Sequence, residues 1–168
     1  MLMAALFLDE IHAQSRSIGV TFSIAGTGLE FVQTIDSRHS AQYQMRMETA
    51  NMFMSTRGKA GISASAFWNT VISQIQSRNN NTIQFYAGPG ICIGYSGDRK
   101  NHPTGMILGL KGRIGAECCF ERGVTVSMSI SPMLGGHFSR KDSMVNMRLY
   151  RLGLLYGIMP EVGIRYNF

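Results

Sequence analysis

The sequence predicts an all-β fold, a closed antiparallel up-and-down transmembrane barrel of about eight strands. Apolar and polar residues alternate with a period of two in many segments, as they do in strands that bury one face. The polar rows carry charges of both signs, which favours an apolar exterior around a charged interior. No run approaches ~18 uninterrupted apolar residues, so no membrane-spanning helix is predicted. A closed barrel then remains as the way to cross a bilayer, because it pairs every backbone polar group.

Length and composition fit one such domain. The chain has 168 residues, of which 19 are glycine, 4 are proline and only 15% are charged, which is unusual for a water-soluble protein. Residues 1–13 are predicted to be a signal peptide and residues 14–168 the barrel, since the first residues are apolar and Ala13 suits cleavage. The basic segment that normally begins a signal is missing, which leaves open a start upstream of Met1. A short terminal helix or a plain tail is the alternative.

Eight strands can be drawn from the alternation, with ends set to within several residues. They are placed at 17–25, 28–36, 40–54, 60–73, 82–96, 105–120, 123–137 and 153–168. Turn-forming residues between them lie at Gly26-Thr27, Arg57-Gly58, 79–81, Gly97-Asp98 and Arg122-Gly123.

Two features interrupt this pattern. Pro89 and Pro132 fall inside predicted strands, and each predicts a bulge or bend because proline cannot donate to the ladder. Residues 135–152 are interpreted as a long loop. An alternative places a strand at 144–152 and merges the two N-terminal segments into one.

The chain ends in a strand of strict alternation. Val162, Ile164, Tyr166 and Phe168 point one way, whereas the residues between them point the other. This ending resembles the last strand of bacterial outer-membrane barrels, in which a terminal Phe marks the chain for the barrel-insertion machinery. The resemblance implies that Phe168 is an assembly signal and that this machinery is a partner.

A wider resemblance covers about residues 17–168. The glycine-rich, alternating stretches 85–90, 109–117 and 124–132 resemble the small outer-membrane β-barrel proteins of Bacteroidetes-type bacteria. These motifs are structural, so the resemblance implies a bacterial outer-membrane location and carries no catalytic residues. With the C-terminus in the periplasm, the turns near 36–39, 77–81 and 121–122 are expected there. The connections at 26–27, 57–59, 97–104 and 138–152 are expected outside.

Parity along the strands directs eight charged residues into the lumen. They are four acids and four bases: Glu30, Glu48, Glu117, Glu161, Arg46, Lys111, Arg113 and Arg165. Closing the second hairpin around Arg38 would place Glu30 directly across from Arg46. We interpret the set as a structural salt-bridge network, because buried charges must be paired and an eight-stranded barrel is filled by its side chains. The same lack of room disfavours an ion pathway.

Catalysis is not predicted. His137-Phe138-Ser139 has the His-x-Ser spacing of outer-membrane lipid A deacylases, but parity points His137 inward, away from lipid. Cys118 and Cys119 should point to opposite faces and not bridge each other. No His and Cys set has the spacing of a metal site, and neither a metal nor a cofactor is expected.

Four basic residues of the region 138–152, Arg140, Lys141, Arg148 and Arg151, are predicted to contact lipopolysaccharide phosphates, since Arg binds phosphate with paired hydrogen bonds. Nucleic acid is not an expected partner, despite a net charge of +6. The predicted function is a non-enzymatic, monomeric outer-membrane barrel with a structural, adhesive or lipopolysaccharide-contacting role. Two alternatives stay open: a lipid-modifying enzyme of the lipid A deacylase kind, and a soluble ligand-binding calycin-like barrel.

Overall fold

The chain forms a closed eight-stranded antiparallel β-barrel, which confirms the predicted fold class. The computed structural model describes residues 15–49, 60–76, 81–96, 105–120, 123–141 and 144–168. The predicted signal peptide, the predicted strand end at 50–54, and the predicted turn residues 57–58, 79–80, 97–98 and Arg122 lie outside the described residues.

Ten strand segments and one short helix build the eight strands of the barrel, because two of these eight strands are interrupted. The segments are β1 (Arg16–Ser23), β2 (Gly26–Thr34), β3 (His39–Glu48), β4 (Gly61–Gln76), β5 (Thr82–Ser96), β6 (Gly105–Cys119), β7 (Val124–Ile130), β8 (Met133–Lys141), β9 (Met144–Leu149), α1 (Arg151–Gly157) and β10 (Glu161–Asn167). Within these ranges, no helix has the length and apolar character needed to cross a membrane.

The barrel closes between its first and last strands. β1 pairs with β2 along one edge and with β10 along the other, from Ser17 opposite Asn167 to Ser23 opposite Glu161. β6 pairs with β5 on one edge, while its other edge pairs with β8 along the first half and with β7 along the second. β7 and β8 are therefore two parts of one barrel strand, and β9 and β10 are two parts of the next.

The first interruption lies at Pro132, where a bend is predicted. Ser131 and Pro132 separate β7 from β8, and the Ser131 N–H donates instead to the carbonyl of Gly157 at 2.7 Å. The prediction for Pro89 is wrong. β5 runs straight through Pro89, because the β4–β5 ladder skips that residue and resumes in the same register. The bulge in this pair lies on β4, between Val71 and Ser73.

The predicted loop over 135–152 is also wrong. β8 continues to Lys141 and pairs with β9, so a strand near 144–152 exists as in the alternative, although the two N-terminal strands remain separate. The outward residues Met147 and Leu149 do alternate with polar neighbours, but the segment has six residues and charged flanks, which hides its period.

The predicted last strand starts too early. α1 occupies 151–157, and β10 begins only at Glu161, after Pro160. Leu154 and Leu155 are adjacent and both exposed, so this stretch has no period of two.

The connections lie at two ends of the barrel. β1–β2, β3–β4, β5–β6 and β8–β9 connect at one end, called here the hairpin end; β2–β3, β4–β5, β6–β7 and both ends of the described chain lie at the other, the terminal end. This grouping agrees with the predicted one. Towards the hairpin end the interior holds a small apolar cluster of Cys92, Ile107, Met133 and Tyr150, and the rest of the described interior is largely polar.

Candidate functional site

Six charged side chains form one connected network inside the barrel. Glu161 accepts from both Arg46 and Arg113, with 3.2 Å between Glu161 Oε1 and Arg113 Nη2. Glu30 lies 4.0 Å from Arg113 and 3.9 Å from Arg165, and Arg165 in turn binds Glu117. With three acids and three bases, Glu30, Glu117, Glu161, Arg46, Arg113 and Arg165, the network is neutral.

Five of the six side chains are almost completely removed from solvent, and Glu117 is partly exposed. Glu30 and Arg113 are each 1% exposed. A single ion at such a position would lose several kcal/mol of hydration, so pairing and hydrogen bonding must replace that hydration. Removing one buried member should therefore destabilise the barrel, because its partner would be left as an unpaired buried ion.

The predicted neighbour relation between Glu30 and Arg46 is wrong. Glu30 lies across from Gln44, and Arg46 lies across from Gly28, so the pairing is shifted by two residues. The cause is the β2–β3 turn, where Asp36 Oδ1 accepts the backbone N–H groups of Arg38 at 2.7 Å and His39 at 2.8 Å. These bonds end the turn at His39, one residue earlier than in a turn centred on Arg38. That difference shifts the β2–β3 pairing by two residues.

Buried amides extend the network, and the sequence reasoning missed them. Gln42 donates to Glu30 Oε2 at 2.6 Å and accepts from Asn69 at 2.9 Å. Gln44 donates to Glu161 Oε1 at 2.7 Å. Both glutamines share the parity of Arg46 on β3, and that parity was the available signal.

The other two inward charges lie apart from the network. Glu48 is half-buried and accepts from the Tyr150 hydroxyl at 3.1 Å. Lys111 is 7% exposed, donates to Ser65 Oγ at 2.9 Å and stands 5.7 Å from the centre of the Phe67 ring. Arg113 stands over the same ring at 5.0 Å. An aromatic face attracts cations, so Phe67 supports both.

A polar cavity of about 240 Å³ opens at the terminal end. Its walls include Asn69, Tyr86, Glu117 and Arg165, so the network reaches this mouth of the barrel. The cavity holds side chains of both signs, and we assign it no ligand.

The outer surface has the opposite character. Its large apolar side chains are widely exposed, for example Leu29 at 62%, Ile91 at 61% and Leu110 at 68%. Aromatic residues belong to the same surface: Tyr43, Trp68, Phe85, Tyr95, Tyr166 and Phe168. The backbone of Phe168 is hydrogen-bonded to the first strand, because its N–H donates to Arg16 O at 2.8 Å. Its side chain is 66% exposed.

His137 does not form the reactive pair that its spacing to Ser139 suggested. The imidazole is 2% exposed, its Nε2 donates to the carbonyl of Ser96 at 3.0 Å, and its ring stacks on Tyr150. His137 therefore faces the lumen and packs against the apolar cluster. The three cysteines, Cys92, Cys118 and Cys119, are free. Across the described segments no group of three or more His, Cys, Asp or Glu is arranged to hold a metal.

The four predicted lipopolysaccharide-contacting residues lie in regular structure and not in a loop. Arg140 and Lys141 end β8, Arg148 is an exposed residue of β9, and Arg151 begins α1. The β8–β9 pairing brings the first three onto one hairpin. The side chains of Arg140, Lys141 and Arg151 lie outside the described part.

Comparisons with other proteins assign no family and no role to this chain. No family model and no curated protein matches the chain. Among solved structures, the chain is similar to Ail, the attachment invasion locus protein of Yersinia pestis, at 11% sequence identity and a TM-score of 0.35, over 92% of this chain and 97% of that one. The resemblance to Bacteroidetes-type barrels stays a prediction.

Proposed function

We propose that this protein is a non-enzymatic integral barrel of the bacterial outer membrane, monomeric, with a structural, adhesive or lipopolysaccharide-contacting role. One observation carries the proposal: large apolar side chains cover the outside while paired charges fill the inside. Exposed apolar area of this extent is unfavourable in water, whereas the outward face of a membrane barrel requires it.

The soluble calycin-like alternative needs the reverse arrangement, with apolar rows turned inward around a ligand. The interior instead holds Glu30, Arg113 and Glu161, each no more than 3% exposed. The deacylase alternative needs a reactive residue facing lipid, and His137 faces the lumen. Both observations favour the non-enzymatic membrane barrel.

Membrane fractionation with a heat-modifiability gel tests this proposal. The protein should sediment with outer membranes, resist carbonate extraction, and migrate as a compact species unless boiled. Recovery as a folded monomer without detergent would refute it. Measured deacylation of lipid A by the purified protein would instead favour the enzyme.

The assembly role of Phe168 has its own test. Deleting Phe168 should lower the yield of folded protein in the membrane, and Phe168→Tyr, which keeps a terminal aromatic side chain, is the matched control. Equal folded yields for the deletion and the wild type would refute an assembly signal at this residue.

We further propose that the hairpin end faces outward and that Arg140, Lys141, Arg148 and Arg151 contact lipopolysaccharide phosphates. Changing these four residues to Glu should weaken binding to lipopolysaccharide and remove its salt dependence, since screened surface charges carry such attraction. Arg16→Glu with Arg38→Glu, at the terminal end, is the control that should leave binding unchanged. Equal binding by the four-site variant and the wild type at low salt would reject the contact.

The orientation is tested separately, with a cysteine introduced at Ser143 in a variant whose native cysteines are replaced. A membrane-impermeant thiol reagent added to intact cells should label it. Labelling from the periplasm alone would reverse the topology.

A further inference from the structure

Lys111 is a buried lumen cation outside the neutral network, and it forms no ion pair among the described residues. No carboxylate oxygen of the described residues lies within 4.0 Å of its ammonium group. Its cross-strand neighbours are Gly90 on β5 and Met133 on β8. The nearest charge on its own strand is Arg113, which is also positive and shares the Phe67 ring. A buried ammonium in such surroundings is costly unless an opposite charge accompanies it.

Two other hydrogen-bond donors of the lumen lack acceptors. Ser63 Oγ and Arg46 Nε are buried, and neither has a hydrogen-bond partner among the described residues. Ser65 accepts the bond from Lys111, so its own hydroxyl hydrogen is left to donate elsewhere. These four side chains are between 2% and 8% exposed. Buried donors normally have an acceptor, so the unpaired Ser63 Oγ and Arg46 Nε need an explanation.

The register brings these donors together. Arg46 on β3 lies directly across from Ser63 on β4, and Ser65 is the next inward residue along β4. Lys111 on β6 reaches Ser65 across β5. On β5, Gly90 across from Lys111 and Gly94 across from Ser63 carry no side chain, while the buried Cys92 lies across from Ser65. Two positive groups and two hydroxyl groups thus border one region of the lumen.

We propose that the lumen binds one small monovalent anion, a halide such as chloride, between Lys111, Ser65, Ser63 and Arg46. The anion would accept the unpaired N–H and O–H groups and form the close ion pair that Lys111 lacks. A water molecule could accept at most two of these donors and would form no ion pair with Lys111. Phosphate or sulfate would bring more charge and more acceptor oxygens than four donors can satisfy. The inference concerns the lumen alone and does not depend on the membrane assignment.

The test is the equilibrium stability of the refolded barrel at constant pH and ionic strength, in sodium chloride or bromide against sodium gluconate. Halide that binds only the folded protein should raise the folded-to-unfolded ratio about 100-fold at a concentration 100 times its dissociation constant. Gluconate is too large for the site and should give no such gain. Equal stability in halide and gluconate would overturn the proposal.

Variants identify the site. Ser63→Ala with Ser65→Ala removes both hydroxyls and keeps the charge, and it should abolish most of the halide dependence. Lys111→Met should abolish all of it, whatever its effect on overall stability. Ser127→Ala, a buried lumen serine on β7, is the matched control and should retain the full halide effect. Halide dependence that survives in Lys111→Met would show that the ion binds elsewhere, and the proposal would fail.

A bromide derivative gives a direct check. Anomalous scattering from a crystal grown in bromide should show one peak in the lumen beside Lys111 Nζ. A well-ordered lumen without that peak would contradict the site even if salt effects were observed.

Discussion

The inner and outer faces of the same strands follow opposite rules, and β10 shows this most clearly. Its inward residues Glu161 and Arg165 are charged and only 3% and 4% exposed. Its outward residues Val162, Ile164 and Tyr166 are apolar and 41% to 58% exposed. A water-soluble sheet would reverse both assignments, because charge is favoured where water is and apolar area where water is absent.

The contrast shows which interactions hold each face. Inside, stability depends on pairing, since the buried ions of the network have lost their hydration. Outside, stability depends on the solvent, since an exposed apolar side chain is favourable in lipid and unfavourable in water. Substitutions on the two faces should therefore respond to different experimental conditions.

The largest effect is expected from Glu161→Gln. Glu161 binds Arg46, Arg113 and Gln44, so the change leaves two buried guanidinium groups with one carboxylate fewer. Breaking a buried pair in this way costs about 3–5 kcal/mol of unfolding free energy, measurable by urea titration of the refolded barrel. Glu48→Gln is the matched control, because the half-buried Glu48 accepts from Tyr150, outside the six-residue network, and should cost much less. Equal losses for the two variants would mean that the network is not the dominant stabilising feature.

Next in size is the outer face. Ile164→Arg, in the middle of β10, should cost about 2–4 kcal/mol in a bilayer, whereas Ile24→Arg, at the β1–β2 turn, should cost about 0–1 kcal/mol because it lies near the interface. The measurement is reversible unfolding from lipid vesicles. On a soluble protein both surface changes would stay within about 0.5 kcal/mol, and that result would remove the distinction between the faces.

Double-mutant cycles sharpen the map of the inner face. Arg46→Met and Glu161→Gln should show a coupling of about 0.5–3 kcal/mol, because the two side chains are in contact. Arg46→Met and Glu30→Gln should couple less, since Arg46 lies across from Gly28 and Glu30 across from Gln44. If the second pair coupled more strongly than the first, the predicted register with Glu30 across from Arg46 would be supported, and the observed turn would be contradicted.

The smallest effect concerns the exposed β2–β3 turn. The Arg38 backbone N–H and the His39 side chain lower the pKa of Asp36 below its usual value. The ionised form is therefore favoured in the folded state, so its contribution is complete above the ordinary pKa of about 3.9 and is lost as the pH falls through the lower folded pKa. The stability difference between the wild type and Asp36→Asn should shrink below about pH 4. A difference that stays constant from neutral to strongly acid pH would show that the charge of Asp36 contributes nothing.

Alternation along the strands was enough to predict the barrel and the inward position of all eight lumen charges. A period of two reports the face of each residue directly, because successive side chains point to opposite sides. What it does not report is register. The Glu30–Arg46 error arose from the turn, where the side chain of Asp36 sets the closure through bonds that periodicity does not encode.

The two interrupted barrel strands were predicted less well, because their short segments show little periodicity. β9 has six residues and α1 has seven, too few to show a clear period between charged flanks. Both are held by the rest of the wall, through β8 and through the bond from Ser131 to Gly157. Lys111 has Ser65 and Phe67 as partners, and these contacts likewise depend on how β4 and β6, which are not adjacent, curve around the lumen.

Trp68 gives the most direct test of the central assignment of faces, since it is the single tryptophan of the chain and lies on the outer surface at 49% exposure. The measurement is its fluorescence in the protein refolded into vesicles whose lipids carry bromine on the acyl chains. If the apolar face meets lipid, emission should be quenched by the brominated chains and little affected by iodide in the water. Emission that iodide quenches and brominated lipid leaves unchanged would place this face in water and contradict the membrane barrel.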